Sequence, residues 1–290
     1  MKSALIKLHL AVFLWGFTGV LGRLIQLNEG LLVWYRLIIT IVSLLFIFSI
    51  RKSFEKVSLK TKLNLMSIGI IVALHWVFFY GSIKYANVSI SLICLSSISF
   101  FTAFLEPFIV KTKLSVIEIL LSLIGVTGIA LIFHFDNKYR IGILLGLVSA
   151  ALSAIFSTYN KKNVNIASSQ SIMLYELIGG FIFLTLLMPF YLKYLPTNQL
   201  LPTAKDVIWL LLLSWVCTVV AMDLSLQALK KISAFTQNLT LNLEPVYGII
   251  LAFIIYDEQK ELSNTFYLGF ALIILSVALQ MFRIGRKHIG

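Results

Sequence analysis

The chain has 290 residues, 59% of them hydrophobic and 12% charged, with a mean hydropathy of +0.96 and a net charge of +12. A soluble domain carries about 25% charged residues, and no aqueous core could hide this much apolar surface, so a water-soluble globular protein is excluded and the solvent is lipid. In a soluble protein the positive charge would suggest nucleic acid; here the basic residues lie between apolar runs, so no nucleic-acid partner is expected and the charge is read as membrane orientation.

Apolar stretches of roughly 17 to 25 residues suit membrane-spanning helices. The first, about 5–22, starts like a signal peptide but lacks a convincing small-residue cleavage site, and is read as a retained helix. Nine more follow at about 31–50, 64–83, 88–110, 114–133, 141–159, 170–191, 206–228, 233–255 and 262–282. Connections are short except 51–62 and 192–205, and no stretch reads as a separate soluble domain. The expected fold is therefore an all-α polytopic membrane protein of ten helices, embedded in the lipid bilayer. One set of alternate loops holds sixteen Lys and Arg residues, from Lys2 and Lys7 through Lys52 to Lys287, and the other holds seven. The positive-inside bias then puts both termini in the cytoplasm, with the plasma (inner) membrane as the expected location.

Polar residues inside these spans are costly, roughly 2.5–3.5 kcal/mol for an ionised group at mid-membrane, and normally face a cavity or a partner. In chain order, Trp15 adjoins Gly16 in the first span and Arg36 falls within the second. The third carries His75, Trp76 and Tyr80, with Trp76 and Tyr80 one turn apart on one face. Ser96, Ser97, Ser99 and Ser153 add small polar groups that aid close packing or line a cavity. Glu176 opens the seventh span. Asp223 and Gln227 share a face of the eighth, and either line a site or form a cap or structural pair, as with Lys230. The ninth contains "NLTLNLEPVYGIILAF", with Asn238, Asn242, Glu244 and Pro245 at mid-depth. At about 100° per residue, Gln237, Thr240 and Glu244 cluster on one side of it, Asn238 and Asn242 lie adjacent, and Leu239, Leu243, Val246, Ile250 and Ile254 fill the rest. Pro245 lacks an N–H and frees the Leu241 carbonyl. Trp15, His75, Trp76, Tyr80, Asp223, Gln227, Gln237, Asn238, Asn242 and Glu244 are the candidate substrate-binding residues. Glu244, Asp223 and His75 are the candidate carriers of a coupling proton.

The halves resemble each other. "WYRLI" at 34–38 matches "LYELI" at 174–178, "GSIKYANVS" at 81–89 matches "QALKKISAF" at 227–235, and "LSVIEILLSLIGVTGIALI" at 114–132 matches "LSNTFYLGFALIILSVALQ" at 262–280. These offsets of 140, 146 and 148 place five helices in 1–137 and five in 138–290. An odd number per copy inverts the second relative to the first, as in many transporters with a site at the repeat interface. Arg36 and Glu176 occupy matching places, so they either pair across the repeat axis as a gating or structural charge, or each faces water near its helix start.

The five-plus-five helices, Trp15-Gly16, the "KY" and "LKKIS" junctions and "LEPVYGIILAFIIYDEQKELS" at 243–263 resemble the EamA type of the drug/metabolite transporter superfamily. The likeness covers nearly the whole chain and is strongest in the second half. At 111–113, "KTK" stands where that family often has a Gly-Glu pair. "LEP" at 105–107 is not a repeat equivalent of the second Glu-Pro, so Glu106 and Glu244 are not assigned one role. The resemblance implies export or exchange of small metabolites such as amino acids by alternating access around a central cavity.

No H-E-x-x-H, G-x-S-x-G or Walker A pattern occurs, so an enzyme is not expected and no cofactor or metal is called for. Cys94 and Cys217 lie in apolar runs without metal or disulfide spacing and read as packing residues. The leading reading is a secondary transporter of a small solute. The competing ones are a non-transporting sensor or assembly protein, which predicts no central cavity, and an integral membrane enzyme, which needs a nucleophile or metal cluster near an interface.

Overall fold

The computed structural model describes residues 2–51, 55–111, 113, 115–135 and 137–286. Of the basic residues counted for orientation, Lys52 and Lys287 lie outside them. The described residues form helices, with no strand among them.

The helices run in order α1 (Lys2–Trp15), α2 (Thr18–Leu24), α3 (Glu29–Arg51), α4 (Leu59–Tyr85), α5 (Val88–Leu95), α6 (Ile98–Val110), α7 (Val116–Phe135), α8 (Arg140–Asn163), α9 (Ser169–Tyr194), α10 (Ala204–Ser214), α11 (Ala221–Leu229), α12 (Ala234–Leu241), α13 (Glu244–Tyr256) and α14 (Asn264–Arg286). Eight helical segments are long and apolar enough to cross a membrane, counting α1 with α2, α5 with α6, α10 with α11 and α12 with α13 as single segments. The other two expected spans coincide with α7 and α14, whose apolar stretches among the described residues, Val116–Gly128 and Asn264–Ser276, are shorter. The chain is a polytopic membrane protein.

Helix starts follow from local chemistry. Ser58, Asn87, Ser168, Thr203 and Ser233 each accept a hydrogen bond from a backbone N–H of the first turn they precede. Thr203 and Asp206 complete a reciprocal capping box.

Four spans that read as continuous helices are irregular. α1 gives way to α2 at Gly16-Phe17, α5 to α6 at Ser96-Ser97 and α12 to α13 at Asn242-Leu243, while Trp215–Val220 is a π-helical segment between α10 and α11. Ser96 and Ser97 turn their hydroxyls onto the carbonyls of Ile93 and Cys94, at 2.6 and 2.7 Å, in competition with the helix ladder. Pro245, in the first turn of α13, has no N–H to offer the preceding turn. At Gly16 a Cβ would stand 2.7 Å from Tyr247 Cβ, so this break is also where α1 and α13 touch.

The α5/α6 pair and the α12/α13 pair share their bounds at a displacement of 146 residues: 88 to 234, 98 to 244 and 110 to 256. Lys111 and Asp257 then end α6 and α13 in the left-handed conformation, at φ 64° and 57°. The two pairs also cap each other. Glu106 on α6 accepts from the N–H groups of Ala234 and Phe235, at 3.1 and 2.6 Å, at the start of α12. Glu258, after α13, accepts from those of Val88 and Ser89, at 3.0 and 2.9 Å, at the start of α5, and also binds Arg23. Each buried carboxylate thus neutralises the positive end of a half-helix. Replacing either glutamate by alanine is expected to cost about 2 kcal/mol, read as a lower melting temperature in detergent.

α4 packs against both α8 and α9. At Gly69 a Cβ would lie 1.7 Å from the Glu176 carbonyl oxygen, and at Gly179 a Cβ would lie 2.2 Å from that of Met66. Small residues let two backbones meet where lipid gives no hydrophobic drive. Gly69→Ala must push α4 from α9, and a loss of about 3 kcal/mol is expected, measured as loss of monodisperse protein on size exclusion.

Candidate functional site

The four irregularities converge. A cavity with about 80 Å³ of room for water centres is lined by Trp15 and Thr18 beside the first break, Leu95 and Ile98 beside the second, Leu241 and Glu244 beside the third, and Cys217 and Thr218 from the π-helical segment. A water needs roughly 10–15 Å³ on this measure, so several fit. Irregular backbone at membrane depth is tolerated where it is buried in protein or lines a cavity, which is the arrangement here. The loosened backbone is also used: the Trp15 indole N–H donates to the Cys217 carbonyl at 2.9 Å, across from α1 to the π-helical segment.

Arg36, on α3, projects into this cavity and is 2% exposed. Its Nε donates to Thr218 Oγ1 at 2.8 Å and its Nη1 to Tyr80 Oη at 2.9 Å. Its guanidinium carbon lies 3.8 Å from the centre of the Trp76 ring. All three partners are neutral, and Arg36 forms no ion pair with a described residue. A buried cation held by a hydroxyl, a phenol and an indole face, with no carboxylate in contact, can accept an anionic partner.

Glu244 lines the same cavity and is 5% exposed. It opens α13, so its carboxylate sits at a positive helix end. It accepts from Thr18 Oγ1 at 3.4 Å and has no ion pair with Arg36. The cavity therefore presents a guanidinium and, apart from it, a carboxyl group. Gln237 and Asn238 line it as well. The Asn238 amide donates to Thr102 and Ser157, both at 2.7 Å, while the side-chain oxygens of Gln237 and Asn238 keep no partner.

His75 lines the cavity with its Nδ1 2.9 Å from the Ser149 carbonyl and 2.8 Å from the Ser149 hydroxyl. A ring donating from Nδ1 to a carbonyl leaves the Nε2 lone pair free to accept. Trp15, Trp76 and Tyr80 complete the sequence-derived residues gathered here.

Other expected residues lie elsewhere. Asp223 accepts from Ser169 Oγ and, at 2.8 Å, from Gln227, which takes a 2.5 Å bond from Lys7. This network ties α1, α9 and α11 together rather than facing the cavity. Asn242 donates to Ser99 at 3.1 Å, joining the two neighbouring helix breaks. Arg36 and Glu176 do not pair, and neither is exposed at its helix start: Arg36 turns into the cavity, while Glu176 is 0% exposed and its hydrogen bond comes from Asn160 Nδ2 at 3.4 Å.

Sequence reading missed Thr18, Asn160 and the part taken by Cys217. Thr18 is the first residue of α2, and its hydroxyl donates back to the Trp15 carbonyl at 2.6 Å. Cys217 reads as packing because its side chain is apolar, whereas its carbonyl is the group in use.

A polytopic helical protein whose interrupted helices enclose a cavity lined by an arginine, a glutamate and amides has the architecture of a membrane transport protein. The comparisons agree, and the chain belongs to the EamA-like transporter family, whose model matches residues 2–134 and again 140–282. It is 25% identical over 278 residues to an uncharacterized transporter of Haemophilus influenzae, covering 90% of this chain and 87% of that one. A solved crystal structure shares its fold with a TM-score of 0.68 at 15% identity, covering 99% of each chain. The protein is thus a membrane transporter of a small-molecule solute.

Proposed function

We propose that the protein is a secondary transporter, working as an exporter or exchanger, of a small zwitterionic metabolite of the amino-acid type. The observation that carries this is Arg36 and Glu244 facing one cavity without pairing. A solute carboxylate supplies the anion that Arg36 lacks, and its ammonium group meets Glu244 and the free amide oxygens of Gln237 and Asn238. Trp15 and Trp76 offer aromatic surface to the apolar part.

Ten spans, completed by α7 and α14, form two inverted five-helix repeats over 1–137 and 138–290. The 146-residue displacement of the broken helices and the two family matches support this division. Alternating access follows from rocking one group of helices against the other about the central site. The reciprocal glutamate caps tie the α5/α6 and α12/α13 pairs to each other during that motion. The excess of Lys and Arg in one set of loops supports cytoplasmic termini in the plasma (inner) membrane.

Proteoliposomes preloaded with one solute and challenged with a panel of amino acids and nucleobases, with and without a pH gradient, test this reading. Counterflow of at least one neutral amino acid is expected. Exchange limited to nucleobases, or none across the panel, overturns it.

A further inference from the structure

Glu176 is a carboxylate without a counter-charge. It is 0% exposed, in the second turn of α9, inside a membrane-spanning segment. Oε2 accepts one hydrogen bond, from Asn160 Nδ2, and Oε1 has no partner. The charged groups on the elements around it are engaged elsewhere. On α3, Arg36 is taken up by Tyr80, Thr218 and Trp76. On α4, His75 is held by Ser149, and Lys62 lies over the Tyr175 ring. On α8, Lys161 donates to the Leu229 carbonyl. On α11, Asp223 binds Ser169 and Gln227. None of these bonds Glu176. A metal cation would need several converging oxygens, and the described residues contain no cluster of three or more metal-binding side chains. A proton needs only one oxygen.

Asn160 connects this carboxylate to the cavity. It lines the cavity, is 2% exposed, and its Oδ1 has no hydrogen-bond partner. Building on the reading that the cavity holds the transported solute, we propose that Glu176 is the proton-carrying site and that Asn160 relays its charge state to the cavity.

The relay follows from amide geometry. Ionised Glu176 accepts from Nδ2, which leaves Oδ1 an unpartnered acceptor in a residue of the cavity wall. A proton delivered from cavity water to the carboxylate makes Glu176 a donor. The amide then turns over, so that Oδ1 accepts from the carboxyl O–H and Nδ2 faces the cavity. One proton thereby exchanges an acceptor for a donor at the solute. The acceptor suits an ammonium group and the donor a carboxylate, so solute orientation and affinity depend on the proton. When the cavity opens to the other side the proton leaves to water, and no covalent bond other than the O–H is made or broken.

Two measurements on the full-length protein test this. The first is an infrared pH titration in detergent without solute, comparing wild type with E176Q. A carboxyl protonation band present in wild type and missing from the variant is expected; the same band in both overturns the proposal. The second is L-alanine counterflow as a function of pH. Wild type is expected to change by about fivefold or more across the range in which a carboxyl titrates, with a flattened profile in E176Q and in N160L. An unchanged profile in both variants overturns the proposal. If E176Q does not fold, N160L and E176D carry the second test. If wild type moves no L-alanine or other panel solute, the amino-acid reading fails by itself, and the infrared titration still decides the proton site.

Discussion

Arg36→Met is expected to raise the KM for counterflow of a neutral amino acid by about 30-fold or more. Removing one partner of a desolvated charge pair costs 2–5 kcal/mol, and about 2 kcal/mol is already a factor near 30. Arg36 is suited to this because Nε and Nη1 are fixed by Thr218 and Tyr80 and the Trp76 face holds the guanidinium plane. The fork is therefore preorganised, and little conformational entropy remains to be lost on binding. Arg36→Lys keeps the charge but not the planar fork and should fall between wild type and methionine. The melting temperature of each variant separates binding from folding, since Arg36 also bridges α3 to the π-helical segment. A methionine variant with wild-type KM and wild-type stability contradicts a solute carboxylate at this position.

Glu244→Gln should change selectivity more than stability. The glutamine keeps the volume and can still accept from Thr18, but it no longer offers a negative charge to an ammonium group. The ratio of amino-acid to simple monocarboxylate transport is expected to fall by about 10- to 100-fold. Competition assays with an amino acid and its deaminated analogue measure that ratio directly. If both solutes lose equally, Glu244 serves the helix end and not the solute.

Composition and hydropathy made the membrane setting legible, because span length depends only on apolar run length. The polar cluster from Gln237 to Glu244 was legible for a related reason: carboxylate, amides and proline have no cheap place in lipid. The breaks at Gly16-Phe17 and Ser96-Ser97 were not, since hydropathy reports how long an apolar run is and not whether its hydrogen-bond ladder is continuous. Asn160 was hidden by its neighbours: "NKKN" at 160–163 looks like a polar helix exit, yet α8 continues to Asn163 and Asn160 is buried. Asp223 and Gln227 share a face as the spacing indicates, but spacing does not say what that face meets. It meets Ser169 and Lys7. Arg36 gave the largest gain on folding, from a residue with two open readings to the only arginine among the described residues lining the cavity.

The most direct test of a solvent-reachable central cavity is side-specific thiol labelling of Gln237→Cys in a Cys217→Ser, Cys94→Ser background. Reaction with a membrane-impermeant reagent from either side, slowed by the transported amino acid, is the expected result. Inertness from both sides, or reaction only with a lipid-soluble reagent, would contradict a central cavity open in turn to the two faces of the membrane.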